Sequence, residues 1–226
     1  ALFVLSIASL WIGKSDIGWL DLFQNTQKFE AAKIIIWEIR APRTLLALLC
    51  GAGLSLCGAV LQGFLRNPLA DAGVLGISSF ASLGAIIAIY FGLSAIGFWV
   101  LPILAIGFSG FCMMLLLLLV GNQTSSIYFI LSGVVLSTIS SAIITIALTF
   151  APNPYAVSEI IDWQIGSFSE SSLRELALAT PLIIVGSTIL LLQGRKLDTL
   201  VLGEETAQSL GLDIIKTRRL IIFGVS

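Results

Sequence analysis

An all-α, polytopic bundle of membrane-spanning helices is the fold class this sequence predicts, and three observations predict it. The chain of 226 residues is 57% hydrophobic and only 11% charged, against about a quarter charged in an ordinary globular domain. Five stretches, 44–65, 72–90, 98–120, 127–149 and 176–193, contain no Asp, Glu, Lys or Arg. As a helix, each is long enough to cross a hydrocarbon layer of about 30 Å. The short connections between them carry helix-stopping punctuation, RNPLAD at 66–71 and GNQTSS at 121–126.

Taken in order, the first apolar run, 1–12, is too short to span and reads as a cut transmembrane helix. A secretory signal would need a basic segment before it and small residues at a cleavage site ahead of Lys14, and neither is present. The connection 13–43 leads into the span 44–65. Asn67 followed by Pro68 stops that helix near Arg66 and opens a turn, because the residue before a proline is driven out of the helical region. The span 72–90 follows, then the connection 91–97 and the span 98–120. Gly121 ends that helix, and Thr124 or Ser125 is placed to cap the next, 127–149. The longer connection 150–175 holds two prolines and several aromatics and is expected to contain a short interfacial helix. The span 176–193, the connection 194–219 and a second short apolar run, 220–226, complete the chain. That last run also reads as a truncated span.

Charge does not orient the bundle. The connections alternate between two faces, and each face carries six Lys or Arg residues, so the positive-inside rule has no asymmetry to act on. The formal net charge of -1 implies no bulk attraction to nucleic acid or acidic lipid. Cys50, Cys57 and Cys112 all lie in apolar spans and read as small buried hydrophobes. With no histidine in the chain, the usual ligand sets of zinc hydrolases and haem proteins are not available.

Polar chemistry inside the spans is confined to small side chains. Gly51, Ser55, Ala59 and Gly63 form a small-residue row of the kind that lets helices approach closely in lipid. In 127–149, Gly133, Ser137, Ser141, Thr145 and Thr149 recur every fourth residue. That row either lines a polar path or bonds back to its own helix. None of the complete spans holds an Asp, Glu, Lys, Arg or His of the kind ion-coupled carriers use. GKS at 13–15 resembles the end of a phosphate-binding loop, but the upstream glycine is missing, with Ala8, Ser9 and Leu10 in its place. Any nucleotide is therefore handled by another chain.

The segment VLGEETAQSLGLD, 201–213, has soluble character. Leu202, Ala207, Leu210 and Leu212 gather on one side of a short helix, Glu204 and Glu205 stand at its dipole-favoured start, and Gly211 ends it. So short a helix is marginal alone. It either packs on a partner or lies on the bilayer surface.

Three stretches together resemble one family. RAPRTLLALLCGAGLSLCGAVLQGFLRNPLADAGVLGISSFASLGA at 40–85, WQIGSFS at 163–169 and LGEETAQSLGLD at 202–213 resemble the FecCD-type permeases, the membrane subunits of ABC importers for ferric siderophores, haem and vitamin B12. The resemblance implies a multi-pass permease of about ten helices in the bacterial cytoplasmic membrane, of which this chain would hold six to seven. It also implies pairing with a second permease subunit, identical or closely homologous, around a central path. Cytoplasmic ABC ATPase subunits carrying ATP and Mg, and an extracytoplasmic substrate-binding protein, are the other implied partners, while this chain itself binds no cofactor or metal. The cargo implied first is a ferric siderophore, with haem and cobalamin as alternatives; the rival from another class is an ion-coupled secondary transporter.

Residue by residue, the resemblance places Gly203, Glu204, Ala207, Leu210 and Gly211 in the coupling contact with the ATPase, on a cytoplasmic loop 194–219. It makes Arg40 and Arg43 candidates for docking the binding protein on the outer face. Ser137, Ser141 and Thr145 would line the path, Thr124, Ser125 and Ser126 would sit at the cytoplasmic gate, and Asn67 and Pro68 would form a structural turn.

Overall fold

The computed structural model describes residues 2–11, 32–121, 126–169 and 171–226. Among the described residues ten α-helices follow one another: α1 Leu2–Trp11, α2 Ala41–Leu65, α3 Ile77–Tyr90, α4 Val100–Val120, α5 Ser126–Thr149, α6 Pro154–Ile165, α7 Leu173–Leu191, α8 Gly194–Leu200, α9 Glu204–Ser209 and α10 Ile214–Val225. A π-helical segment, Ile35–Arg40, runs directly into α2, and short 3-10 turns occupy Ala72–Leu75 and Leu93–Ile96. Among the described residues, four helical stretches are long and apolar enough to cross a membrane: Ala32–Leu65, Val100–Val120, Ile127–Thr149 and Leu173–Leu191. The chain divides into two compact units, Ala1–Gly53 with Ser167–Ile184, and Leu54–Gly166 with Val185–Ser226.

In the first unit, polar contacts tie α1 to the start of α2. Arg40 Nη1 donates to the carbonyl of Leu10 at 3.0 Å, meeting one of the acceptors a helix leaves open at its C-terminal end. The hydroxyls of Ser9 and Thr44 share a hydrogen bond of 2.8 Å. Farther along, α7 begins with a capping box: the Glu175 carboxylate accepts from the backbone N–H of Ser172 at 2.9 Å and from its hydroxyl. Pro181 sits inside α7, a placement tolerated in membrane helices because neighbouring groups satisfy the carbonyl it releases.

The second unit is built around α3. Ile77, Phe80, Leu83, Gly84, Ala85, Ile86, Ala88 and Ile89 are all buried, although the helix has only 14 residues. Gly84 permits this, because a Cβ there would collide with the carbonyl oxygen of Leu104 and lie 2.9 Å from Phe108 Cβ on α4. Gly133 on α5 plays the same part against the 72–75 turn, where a Cβ would stand 2.8 Å from Leu75 Cα. In lipid such close backbone approach replaces the hydrophobic drive that assembles helices in water. At the end of α3, the Tyr90 hydroxyl donates to the Phe150 carbonyl at 2.7 Å. Asn153 then caps α6, its Oδ1 accepting from the Ala156 N–H at 2.9 Å, with Pro154 in the first turn.

Two expectations from the sequence are corrected here. The stretch 72–90 is not one continuous helix, because Gly76 takes φ of 77° and separates the 3-10 turn from α3. The small-residue row of α2 does not make the closest helix contacts either: Gly51, Ser55 and Ala59 are exposed, and nothing lies within 4 Å of a Cβ built on Gly51. The expected interfacial helix within 150–175 is α6.

The packing of α3 on α4 generates a test. Gly84→Ala should destabilise the complete detergent-solubilised protein by about 1–3 kcal/mol through overpacking. Gly107→Ala, on α4 with open space around its would-be Cβ, should leave the melting temperature unchanged. Equal melting of the two variants would contradict the close-approach account.

Candidate functional site

The second unit gathers the end of α2, the end of α4 and helices α8 to α10. At the end of α2 the chain turns through a Schellman motif: the N–H of Asn67 donates to the carbonyl of Gln62 at 3.2 Å, with Arg66 in the left-handed position at φ of 50°. Glycine normally fills that position, since a side chain there costs about 1–2 kcal/mol. Asn67 and Pro68 continue the turn, Asn67 Oδ1 accepting from the N–H of Leu69 at 3.0 Å. Asp71 then caps the 72–75 turn, its Oδ1 accepting from the Gly73 N–H at 2.7 Å.

Side chains from α4 and α5 reach the 3-10 turn and the start of α3. Ser137 Oγ donates to Gly73 O at 3.3 Å, Cys112 Sγ to Leu75 O at 3.8 Å, and Ser140 Oγ to Ser79 O at 2.7 Å. Ser137, one of the hydroxyls expected along the path, is half-buried and bonds to the turn. Ser141 and Thr145 are exposed on α5. Thr145 Oγ1 bonds back to Ser141 O at 2.9 Å and Thr149 Oγ1 to Thr145 O at 2.8 Å, the local arrangement that satisfies a hydroxyl without a partner helix.

Helix α9 has six residues and stands between Gly203 at φ of 107° and Gly211 at φ of 88°. Its end is a complete Schellman motif, with Gly211 N–H donating to Gln208 O and Leu212 N–H to Ala207 O, both at 2.9 Å. Ala207 is 0% exposed and packs in the cluster that holds Leu65, Ala70, Leu200 and Ile214. Val201, Leu202 and Leu210 point the other way, at 71%, 61% and 64% exposed. The expected single apolar face thus divides into two: Ala207 and the half-buried Leu212 join the core, while Leu202 and Leu210 are left outside. The buried side of Ala207 excludes it from a surface contact.

Glu204 opens α9 and faces Arg66. Its Oε1 lies 3.4 Å from Arg66 Nη2. Arg218 on α10 is 2% exposed and donates from Nη2 to the carbonyl of Gly121, at the end of α4, at 2.9 Å. Burial pushes the Arg218 guanidinium below the ordinary arginine range; nearby Arg219 acts in the same direction, and Glu204 acts against both. Neither arginine contact was legible locally, since Arg66 and Glu204 are 138 residues apart in sequence.

The sequence profile of the FecCD transport family matches residues 1–226. The chain belongs to the FecCD transport family. Its relatives include the molybdate import system permease protein MolB of Haemophilus influenzae, 35% identical, with the match covering 98% of this chain and 68% of that protein. The vitamin B12 import system permease protein BtuC of Klebsiella pneumoniae is 36% identical over 84% of this chain and 57% of its own length. A solved structure of an inward-facing transporter, assigned to the metal-chelate ABC type, superposes with a TM-score of 0.87 at 30% identity, covering 99% of this chain and 69% of that one. The chain thus spans between about half and two thirds of the length of these FecCD relatives, and its all-α bundle is an ABC-transporter permease fold.

The remaining residues expected from FecCD resemblance fall as follows. Arg40 is 9% exposed and donates from its guanidinium to Leu10 O. Arg43 is half-buried. Thr124 and Ser125 lie outside the described residues, and Ser126 is described as the first residue of α5.

The divided face of α9 gives a paired prediction. Ala207→Asp places a charge in the core and should sharply lower the yield of folded protein, by the mechanism that makes buried unpaired charge among the most destabilising changes. Leu210→Asp should leave yield and melting temperature near those of the unsubstituted protein. Equal loss in both, measured by size-exclusion profile and thermal melt, would contradict the assignment of the two sides.

Proposed function

We propose that this chain forms part of the translocation path of an ATP-driven importer for a metal chelate, a ferric siderophore before haem or cobalamin. In this reading the chain catalyses no covalent step, and ATP with Mg is bound and hydrolysed on separate cytoplasmic ABC subunits. A second permease subunit completes the path, and an extracytoplasmic binding protein delivers the cargo.

The observation that carries the proposal is the exposed apolar tip of Val201, Leu202 and Leu210 on a segment whose other side is buried at Ala207. An apolar tip flanked by folded helices suits a protein groove, and a domain that hydrolyses ATP is the partner that would use one to drive this fold. Gly203 and Gly211 set the direction in which the tip projects. The loop 194–219 is then cytoplasmic, and the π segment with Arg43 faces outward, where Arg43 is the candidate contact for the binding protein and Arg40 holds the helix beneath it. Ser141 and Thr145 are the candidate path-lining hydroxyls. Thr124, Ser125 and Ser126 lie in the connection assigned to the gate. An uncharged α5 suits a bulky chelate that is enclosed as it passes rather than ligated.

The test is reconstitution of the complete protein with its cognate ATPase in proteoliposomes, supplied with binding proteins loaded with ferric siderophore, haem, cobalamin or molybdate. Stimulation of hydrolysis by the siderophore-loaded protein is the expected result. Stimulation by molybdate alone would overturn the cargo class, and uptake driven by an ion gradient without ATPase would overturn the importer reading.

A further inference from the structure

Arg66 is the only non-glycine residue with positive φ among the described residues. It occupies a C-terminal helix position where glycine relieves the backbone and where most of its own side chain contributes nothing to the turn. That same side chain pairs with Glu204, at 3.4 Å, with side chains 43% and 25% exposed. A partly exposed pair of this kind adds little to stability, so it does not account for a side chain kept in a strained conformation. Strain retained without a stability return points to function.

The neighbours of the pair show what it connects. Arg66 ends α2, and Glu204 begins α9, whose outer tip is the proposed ATPase contact. Arg218 lies within electrostatic reach of Glu204 and holds the Gly121 carbonyl at the end of α4. Glu204 therefore stands where displacement of α9 would be felt at the ends of two long helices. Ala207 supplies an apolar side to the same attachment, buried in the cluster that also holds Leu65 and Ala70 from either side of the Arg66 turn.

We infer that Arg66 and Glu204 form a latch that positions α9 on the end of α2, so that motion imposed on the 201–213 segment is passed to the membrane helices. Arg66 is a positioning residue: it touches neither cargo nor nucleotide. The inference rests on the importer reading and names the internal contact through which that coupling runs.

Arg66→Gly separates the latch from the fold, because glycine relieves the left-handed backbone while deleting the guanidinium. In the complete permease with its ATPase in proteoliposomes, Arg66→Gly should melt no lower than the unsubstituted protein. Its ratio of cargo-stimulated to basal ATP hydrolysis should nevertheless fall by about threefold or more, within the range by which coupling residues act. Glu204→Gln should lower that ratio similarly, the double variant should fall no further than the worse single one, and Arg66→Lys should retain most of the stimulation. An unchanged ratio in Arg66→Gly, losses that multiply in the double variant, or no recovery with lysine would overturn the latch. A second readout needs no ATPase: in the complete permease alone, amides of 203–211 should exchange hydrogen several-fold faster in Arg66→Gly, reflecting easier local opening. Unchanged exchange would likewise overturn the latch. If the unsubstituted permease forms no ATPase complex, the importer reading fails while the exchange experiment still decides the latch.

Discussion

The structure of the second unit depends on how the chain satisfies its own backbone where it stops being helical. Between Asp71 and Gly76 the polypeptide leaves α2's path, makes a 3-10 turn and re-enters a helix, all beside apolar surroundings where an unmet carbonyl is expensive. Donors from two other helices meet carbonyls of this turn and of the first turn of α3: Ser137 at Gly73, Cys112 at Leu75 and Ser140 at Ser79. Gly133 lets α5 lie against the turn without a side chain between them, which brings the serines of α5 within reach. One constraint thus fixes the positions of α3, α4 and α5 together.

That arrangement determines which surfaces are left for function. With Ser137 bonded to the turn and Ser140 to the start of α3, the exposed threonine and serine hydroxyls among the described residues of α5 are Thr138, Ser141, Thr145 and Thr149. At the end of α2 the same economy applies. Ala207 is buried in the cluster that also holds Leu65 and Ala70, and the exposed apolar residues of the 201–213 segment, Val201, Leu202 and Leu210, form its outer tip.

Much of the fold was legible because long uncharged runs have few alternatives. The limits of α4, α5 and α7 fall within a few residues of the runs that predicted them, and a short helix, α6, lies within 150–175 as its prolines and aromatics suggested. The break at Gly76 was hidden because a glycine in an apolar run reads equally as a tolerated helix residue or as a left-handed stop. The two sides of α9 were hidden for a different reason: apolar spacing groups Ala207 with Leu210 but does not say which one the rest of the chain covers. The bond from Arg40 to Leu10 O was hidden because a family motif marks a position and not the direction of its side chain. The pairing of Arg66 with Glu204 has no local signal beyond an arginine standing where a glycine would serve.

The central claim is that the tip of the 201–213 segment faces a partner while its opposite side stays in the core. It is tested most directly by labelling single cysteines introduced by Leu202→Cys, Leu210→Cys and Ala207→Cys with a bulky polar maleimide, in the complete permease with and without its ATPase, against the unsubstituted protein as background. The account predicts rapid labelling at 202 and 210 in the permease alone, protection of both when the ATPase is bound, and no labelling at 207 in either state. Equal labelling of 202 and 210 with and without the ATPase, or ready labelling at 207, would contradict it.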